Sequence, residues 1–163
     1  MKKLLFCFVG MVFNMTSMLH SASSDTQLIN LEVTAINELA ITSGGAISLT
    51  ISTATAGSAP TDAVDATTTY AVTTNAGTDA KKITGAIDTN APASTTLSVN
   101  LAALTGSSSA GTQSLSTTAV DLVTGVDSVA EGSKTITYTF SAGIAAGIIA
   151  STPRTVTLTL TNT

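Results

Sequence analysis

Residues 155–161 read Thr-Val-Thr-Leu-Thr-Leu-Thr, and residues 135–140 read Thr-Ile-Thr-Tyr-Thr-Phe. In both stretches large apolar side chains alternate with threonine at a period of two, which places them on one face of an extended chain. The β-branched threonines suit the opposite face of a pleated sheet. The two stretches therefore predict strands with one face in a core and the other in water.

Similar short apolar runs recur at residues 68–74, 81–88, 97–101 and 115–123, between loops that carry Gly, Pro, Asn and Ser. Strands separated by regular turn signals are typical of a sandwich or barrel. In the fourth run, Val120, Leu122 and Val123 break the alternation, which predicts a β-bulge. With no convincing helical periodicity after residue 24, we expect an all-β fold: a single Ig-like or jelly-roll-like β-sandwich of about eight strands over residues 25–163.

Segment 26–36 has the same alternation and an apolar face of its own. Ile29, Leu31, Val33 and Ala35 share that face, and the pattern continues through residues 39 and 41. After the turn signal at residues 43–45, Ile47, Leu49 and Ile51 alternate again, so we expect a hairpin. We expect the apolar face of segment 26–36 to pair with a neighbouring subunit by β-strand addition. The alternative is that this strand closes its own sandwich.

The first 24 residues have the order of a secretory signal peptide. Lys2 and Lys3 precede an apolar run at residues 4–13, and a polar stretch of small residues follows. The run is too short for a membrane-spanning helix, which needs about 20 residues. A buried N-terminal helix is the alternative. We expect cleavage near residue 24, a secreted chain that acts at the cell surface, and no membrane span after cleavage.

Removal of residues 1–24 also removes the chain's Cys and His residues, Cys7 and His20. Cysteine or Ser–His nucleophiles and ordinary zinc sites are then excluded by composition. Carboxylates remain, and Asp62, Asp65, Asp127 and Glu131 are weak candidates for a calcium site because Ca²⁺ prefers oxygen ligands. The alternative is that these are solvated loop acids. We expect no enzyme activity and no cofactor.

Charge argues against nucleic acid as a partner. The chain has six basic and ten acidic residues and a formal net charge of −4, which becomes −6 when Lys2 and Lys3 are removed. Binding to phosphates needs a basic surface, and no basic run is present. Aromatic residues make up 4% of the chain, so stacking platforms for bases or sugars are also scarce.

Residues 146–163 contain an Ala-Gly turn followed by a strand of alternating Val, Leu and Thr, and residues 70–75 read Tyr-Ala-Val-Thr-Thr-Asn. Together with Ile136-Thr137-Tyr138, these stretches resemble secreted fimbrial and spore coat protein U-like subunits. The resemblance covers about half of the chain, which lacks the cysteines and the aromatic residue after the Ala-Gly turn that are common in those families. It implies a small β-sandwich surface subunit and assembly by strand exchange.

These observations favour a structural subunit of an extracellular filament, pilus or surface coat that associates with copies of itself. The alternative is a secreted adhesin or a carbohydrate-binding β-sandwich module. A planar aromatic patch would favour that alternative, but Tyr70, Tyr138 and Phe140 all fall on faces predicted to point inward.

Overall fold

The computed structural model describes residues 23–75 and 79–163. The chain divides into two units, Met1–Glu32 and Val33–Thr163. In the first unit the described residues 23–32 form no strand, and all of them are exposed. The signal peptide expected over residues 1–24 lies outside the described residues except at its last two positions.

The second unit is all-β. Its strands are β1 (Asn37–Ser43), β2 (Ala63–Thr74), β3 (Lys81–Ile87), β4 (Thr95–Leu101), β5 (Ser108–Ser109), β6 (Gln113–Ser114), β7 (Val120–Val126), β8 (Val129–Ala142) and β9 (Val156–Asn162). A single 3₁₀ turn, Ile144–Ala146, follows β8. Residues 23–75 and 79–163 contain nine strands where the sequence predicts about eight, and two of the nine are only two residues long.

Two antiparallel sheets contain these strands. The first has five strands in the order β1-β2-β8-β4-β6, and the second has four in the order β5-β7-β3-β9. The register between β4 and β8 agrees with the predicted faces: Val99 pairs with Tyr138, and Leu101 with Ile136. β9 pairs with β3 along its whole length.

One hydrophobic core receives side chains from both sheets. Tyr70 and Ile136 from the first sheet, and Ile83 and Leu122 from the second, are fully buried. Thr137 and Thr139 of β8 and Thr157 and Thr159 of β9 are not buried, as the alternation predicts, whereas Thr68 and Thr74 of β2 are buried. Leu158 and Leu160 of β9 are only partly buried, although they pack against this core.

The bulge predicted near residue 122 is confirmed. Ile83 pairs with Val123 and Thr84 with Asp121, so Leu122 is an extra residue on β7. A regular strand would point Leu122 and Val123 to opposite faces, whereas the bulge lets both be fully buried. Gly85 makes room for the added side chain, because a Cβ there would lie 2.6 Å from Leu122 Cδ1.

The predicted N-terminal hairpin is wrong. Residues 47–51 form no strand, and β1 pairs instead with β2, with Leu39 opposite Val72. Segment 26–36, expected to be a strand, is also outside any sheet of the described structure. Alternation marks which face of a strand is apolar, but the pairing partner depends on distant parts of the chain.

Candidate functional site

The apolar face predicted for segment 26–36 is uncovered. Ile29 is 68% exposed, Leu31 89% and Val33 83%, and Ala35 is exposed as well. Scattered single apolar residues are ordinary on a protein surface, whereas several exposed large apolar residues within one short segment make that segment a candidate for interaction. The four residues singled out from sequence are therefore available to a partner.

Asn75 holds the chain where it enters β1. Its side-chain oxygen accepts a hydrogen bond from Ile36 N at 2.6 Å, and its side-chain nitrogen donates to Thr34 O at 2.8 Å. The Asn75 backbone N–H also donates to Ile36 O at 3.2 Å. The asparagine amide thus extends the pairing of β1 with β2 to residue 34, and Val33 next to it is exposed.

Strands β1 and β9 are edge strands of the two different sheets. β1 pairs only with β2, and β9 pairs only with β3, so each has an outer edge with no strand beside it in the described part of the chain. The two strands approach each other. A long unprotected edge is a template for pairing with another strand.

An open apolar cleft of about 1140 Å³ lies within the second unit. Residues 44–54, 142–144, 147 and 149–156 line much of it, and it reaches Ile41 of β1 and Val156 of β9. Apolar side chains line much of it, among them Ile41, Leu49, Leu97, Phe140, Ile149 and Val156.

Thr68 contributes a buried polar group to the cleft. The residue is 3% exposed, and its hydroxyl has no hydrogen-bond partner among the described residues. Gly44, at φ +104°, packs directly against it: a Cβ at Gly44 would lie 2.7 Å from Thr68 Oγ1. Gly44 has the positive φ expected at the predicted turn, and the chain bends at Ala46, but it continues into the cleft lining and not into a second hairpin strand.

Glu131 is the centre of the most organised polar cluster. Its carboxylate accepts hydrogen bonds from Thr105 N at 3.1 and 3.2 Å and pairs with Lys134 Nζ at 2.9 Å. These hydrogen bonds from Thr105 and Lys134 lower the pKa of Glu131 to about 2. Burial, with a smaller contribution from the Glu131 charge, raises the pKa of Tyr70 to about 12, and the Tyr70 hydroxyl donates to Ala102 O at 2.5 Å.

The four calcium candidates are not brought together. Asp65 pairs with Tyr138 and Glu131 with Val72 in the same β2–β8 ladder. The position opposite Asp65 is therefore seven residues from Glu131 on β8, or roughly 23 Å along a strand. Asp65 accepts hydrogen bonds from Thr67, and Asp127 accepts one from Ser128. Within residues 23–75 and 79–163, no group of three or more His, Cys, Asp or Glu side chains could hold a metal ion.

Sequence reasoning missed Thr68 and Asn75. Threonine is common throughout this chain, and no local pattern distinguishes a buried threonine without a partner from its neighbours. The hydrogen bonds of Asn75 join it to residues about forty positions earlier in the chain. Both roles depend on which distant segments lie nearby, so no spacing motif could reveal them.

No family model, curated protein or solved structure matches this chain. Over the residues that the structure describes, no helix is long and apolar enough to cross a membrane.

Proposed function

We propose that this protein is a non-enzymatic structural subunit of an extracellular filament, pilus or surface coat, and that its subunits associate by β-strand addition. Segment 26–36 of one subunit is the added strand. In this proposal residues 1–24 direct export, and the two sheets pack as an Ig-like or jelly-roll-like β-sandwich. The shared core of the two sheets supports that packing.

The observation that carries the proposal is the exposed row of Ile29, Leu31 and Val33, which alternates with the polar residues Asn30 and Glu32. A strand with this pattern is stable only when its apolar face is covered and its backbone groups are paired. Addition to an exposed sheet edge satisfies both needs, because main-chain hydrogen bonds hold the strand and pockets accept alternate side chains. A slip of one residue would turn Asn30 and Glu32 toward the pockets, so the register is strict.

The adhesin or carbohydrate-binding alternative gains no support from the described surface. Sugar recognition of that type uses exposed aromatic rings, whereas Tyr70 is fully buried and Tyr138 is 5% exposed. Phe140 is partly buried and lines the cleft. No described observation favours a second function over assembly.

The test is a pair of matched double variants examined by sedimentation and negative-stain electron microscopy. Leu31→Asp with Val33→Asp places two charges on the apolar face, and we expect soluble monomers where the unchanged protein forms filaments. Burying an unpaired charge in a strand groove costs several kcal/mol, which is enough to abolish the contact. At dilutions where the unchanged protein is also monomeric, we expect the same thermal midpoint in both proteins, because the replaced side chains are exposed.

The control is Asn30→Asp with Thr34→Asp, which adds the same charge to the same segment but on the opposite face. This variant should still form filaments. An unchanged protein that stays monodisperse at high concentration contradicts the proposal, and so do filaments of the Leu31/Val33 variant equal to those of the control. Unfolding of the Leu31/Val33 variant at low concentration would show that the strand closes its own sandwich.

A further inference from the structure

The open cleft described above is apolar along much of its lining. Ile41, Leu49 and Leu97 contribute aliphatic side chains, and Tyr138 and Phe140 contribute aromatic ones. Its volume of about 1140 Å³ is of the size that small-molecule sites have, roughly 300–1,000 Å³. Such sites are mostly apolar, and a few polar groups orient the ligand. The polar groups of this cleft therefore indicate which class of ligand it suits.

Arg154 supplies the charge in this lining. Over residues 23–75 and 79–163, no other charged side chain borders the cleft. The guanidinium is held in place, because it donates through Nε to Asn90 O at 3.1 Å and through Nη1 to Pro153 O at 2.7 Å. A guanidinium has five N–H groups, so within the described structure three of them are still available to an acceptor.

No carboxylate of the described chain forms an ion pair with Arg154. Both ion pairs in residues 23–75 and 79–163 involve lysines. Asp88 accepts a hydrogen bond from the adjacent Thr155 N at 3.0 Å but is not paired with Arg154. The planar fork of a guanidinium matches the two oxygens of a carboxylate, and such charge-assisted hydrogen bonds are strong. The charge of the cleft therefore favours an anionic ligand and disfavours a cationic one.

The remainder of the lining favours a hydrocarbon chain. Ile144 and Ile149 line the cleft and are 85% and 36% exposed, so the protein alone leaves apolar surface there in water. A flexible chain can follow an open, irregular cleft that would not enclose a rigid molecule. Each methylene that is removed from water strengthens binding about fourfold. An anionic head group and an apolar tail together describe a fatty carboxylate.

We propose that this cleft binds a free fatty acid, with the carboxylate on the Arg154 guanidinium and the hydrocarbon chain along the apolar lining. The proposal does not depend on strand addition, because no residue of segment 26–36 lines the cleft. It adds a ligand-binding site to a subunit whose proposed function is structural.

The test compares three compounds that share a dodecyl chain and differ in the head group: laurate, dodecanol and dodecyltrimethylammonium. Binding to the full-length chain is measured by equilibrium dialysis, below the concentrations at which these compounds form micelles. We expect laurate to bind about tenfold more tightly than dodecanol, because hydrogen bonds to a charged group add to the burial of the chain. The cationic compound should bind most weakly. Decanoate, which is two methylenes shorter, should bind about tenfold more weakly than laurate.

Variants of Arg154 test the position of the carboxylate. Arg154→Gln should bind laurate and dodecanol about equally, whereas Arg154→Lys should keep part of the preference for laurate. Lys81→Gln is the matched control: it removes the same charge at the far end of β9, where Lys81 lies opposite Asn162 and outside the cleft. This control should bind like the unchanged protein.

Two adjacent isoleucines test the position of the hydrocarbon chain. Ile149→Asp places a charge in the lining and should weaken binding of both laurate and dodecanol by about tenfold. Ile148→Asp is the control, because Ile148 is fully exposed and does not line the cleft. Neither side chain belongs to the core, so both variants should keep the thermal midpoint of the unchanged protein.

Equal binding of laurate and dodecanol to the unchanged protein overturns the proposal, and so does a preference that survives Arg154→Gln. Laurate binding that is insensitive to Ile149→Asp overturns it by placing the ligand elsewhere on the chain. Binding to phosphatidylglycerol vesicles without binding of laurate would identify a membrane surface as the partner instead. Protection of the cleft amides from hydrogen exchange that rises with protein concentration, in the absence of fatty acid, would assign the cleft to a second copy of the chain.

Discussion

Thr68 shows how one side chain differs from its neighbours through its surroundings alone. In the described part of the chain, its hydroxyl is a buried side-chain polar atom without a hydrogen-bond partner. The adjacent Thr69 hydroxyl, on the outer face of β2, lies 2.7 Å from Ser43 Oγ and 3.0 Å from Thr42 Oγ1. A buried hydroxyl without a partner costs about 1–3 kcal/mol, so Thr68 lowers the stability of the isolated subunit.

We therefore expect Thr68→Val to raise the free energy of unfolding of the monomer by about 1 kcal/mol, because it removes the unpaired hydroxyl and nearly keeps the shape. Urea unfolding followed by circular dichroism measures the change. Thr69→Val is the control and should lower stability by about 0.5–1 kcal/mol, because it removes two hydrogen bonds at a partly exposed site. A Thr68→Val protein less stable than the Thr69 variant would show that the Thr68 hydroxyl has a partner in solution.

Strand β1 illustrates how an element ends. Its pairing with β2 runs from Asn37 opposite Thr74 to Ser43 opposite Thr69. The Asn75 side chain then supplies a donor and an acceptor to residues 34–36, as a further residue of β2 would. Asn75 thus holds residues 34–36 beside the end of β2, and Val33, the residue before them, is exposed.

Replacement of Asn75 by Ala should release this anchor. We expect faster hydrogen exchange at the Ile36 amide and a loss of about 1 kcal/mol in stability, because two hydrogen bonds at an exposed site disappear. Asn75→Asp is the matched control: its carboxylate still accepts from Ile36 N but does not donate to Thr34 O. The Ile36 amide should remain protected in that variant. Equal exchange in the unchanged protein and the Ala variant would contradict this role.

For the molecule as a whole, acid should destabilise the fold through Glu131. Its pKa is about 2 in the folded chain against an ordinary value of 4.5. The folded state therefore binds the proton less readily than the unfolded state does, and the contribution is complete above pH 4.5. It is lost as the pH falls from 4.5 toward 2, when protonation weakens the contacts with Thr105 and Lys134.

We expect the urea midpoint of the unchanged protein to fall between pH 5 and pH 2. Glu131→Gln should be less stable at pH 7 and should show a flatter response over that range. Glu38→Gln, on exposed β1 with no hydrogen bond from its side chain in the described structure, should keep the response of the unchanged protein. If the urea midpoint of the Glu131→Gln protein falls as much as that of the unchanged protein, other carboxylates cause the loss of stability in acid.

Local alternation determined which side chains lie in the core. Ile136 and Tyr138 are buried, while the threonines that alternate with them, Thr135, Thr137 and Thr139, are not. The break in phase at Leu122 and Val123 even located the bulge correctly. These features follow from the chain itself, because the two-residue period of an extended backbone puts apolar side chains on one face whatever the partner is.

The partner of each strand was decided only by the tertiary structure. Residues 47–51 alternate as well as β9 does, yet β9 lies beside β3, with Asn162 opposite Lys81, while residues 47–51 belong to no sheet of the described structure. Tertiary structure alone also decided that segment 26–36 lies outside any sheet of the described structure, that the Thr68 hydroxyl is buried without a partner, and that Thr105 and Lys134 contact Glu131. Pairing joins residues up to 81 positions apart, and it depends on which edges remain free once the core has closed; a period of two carries no information about either.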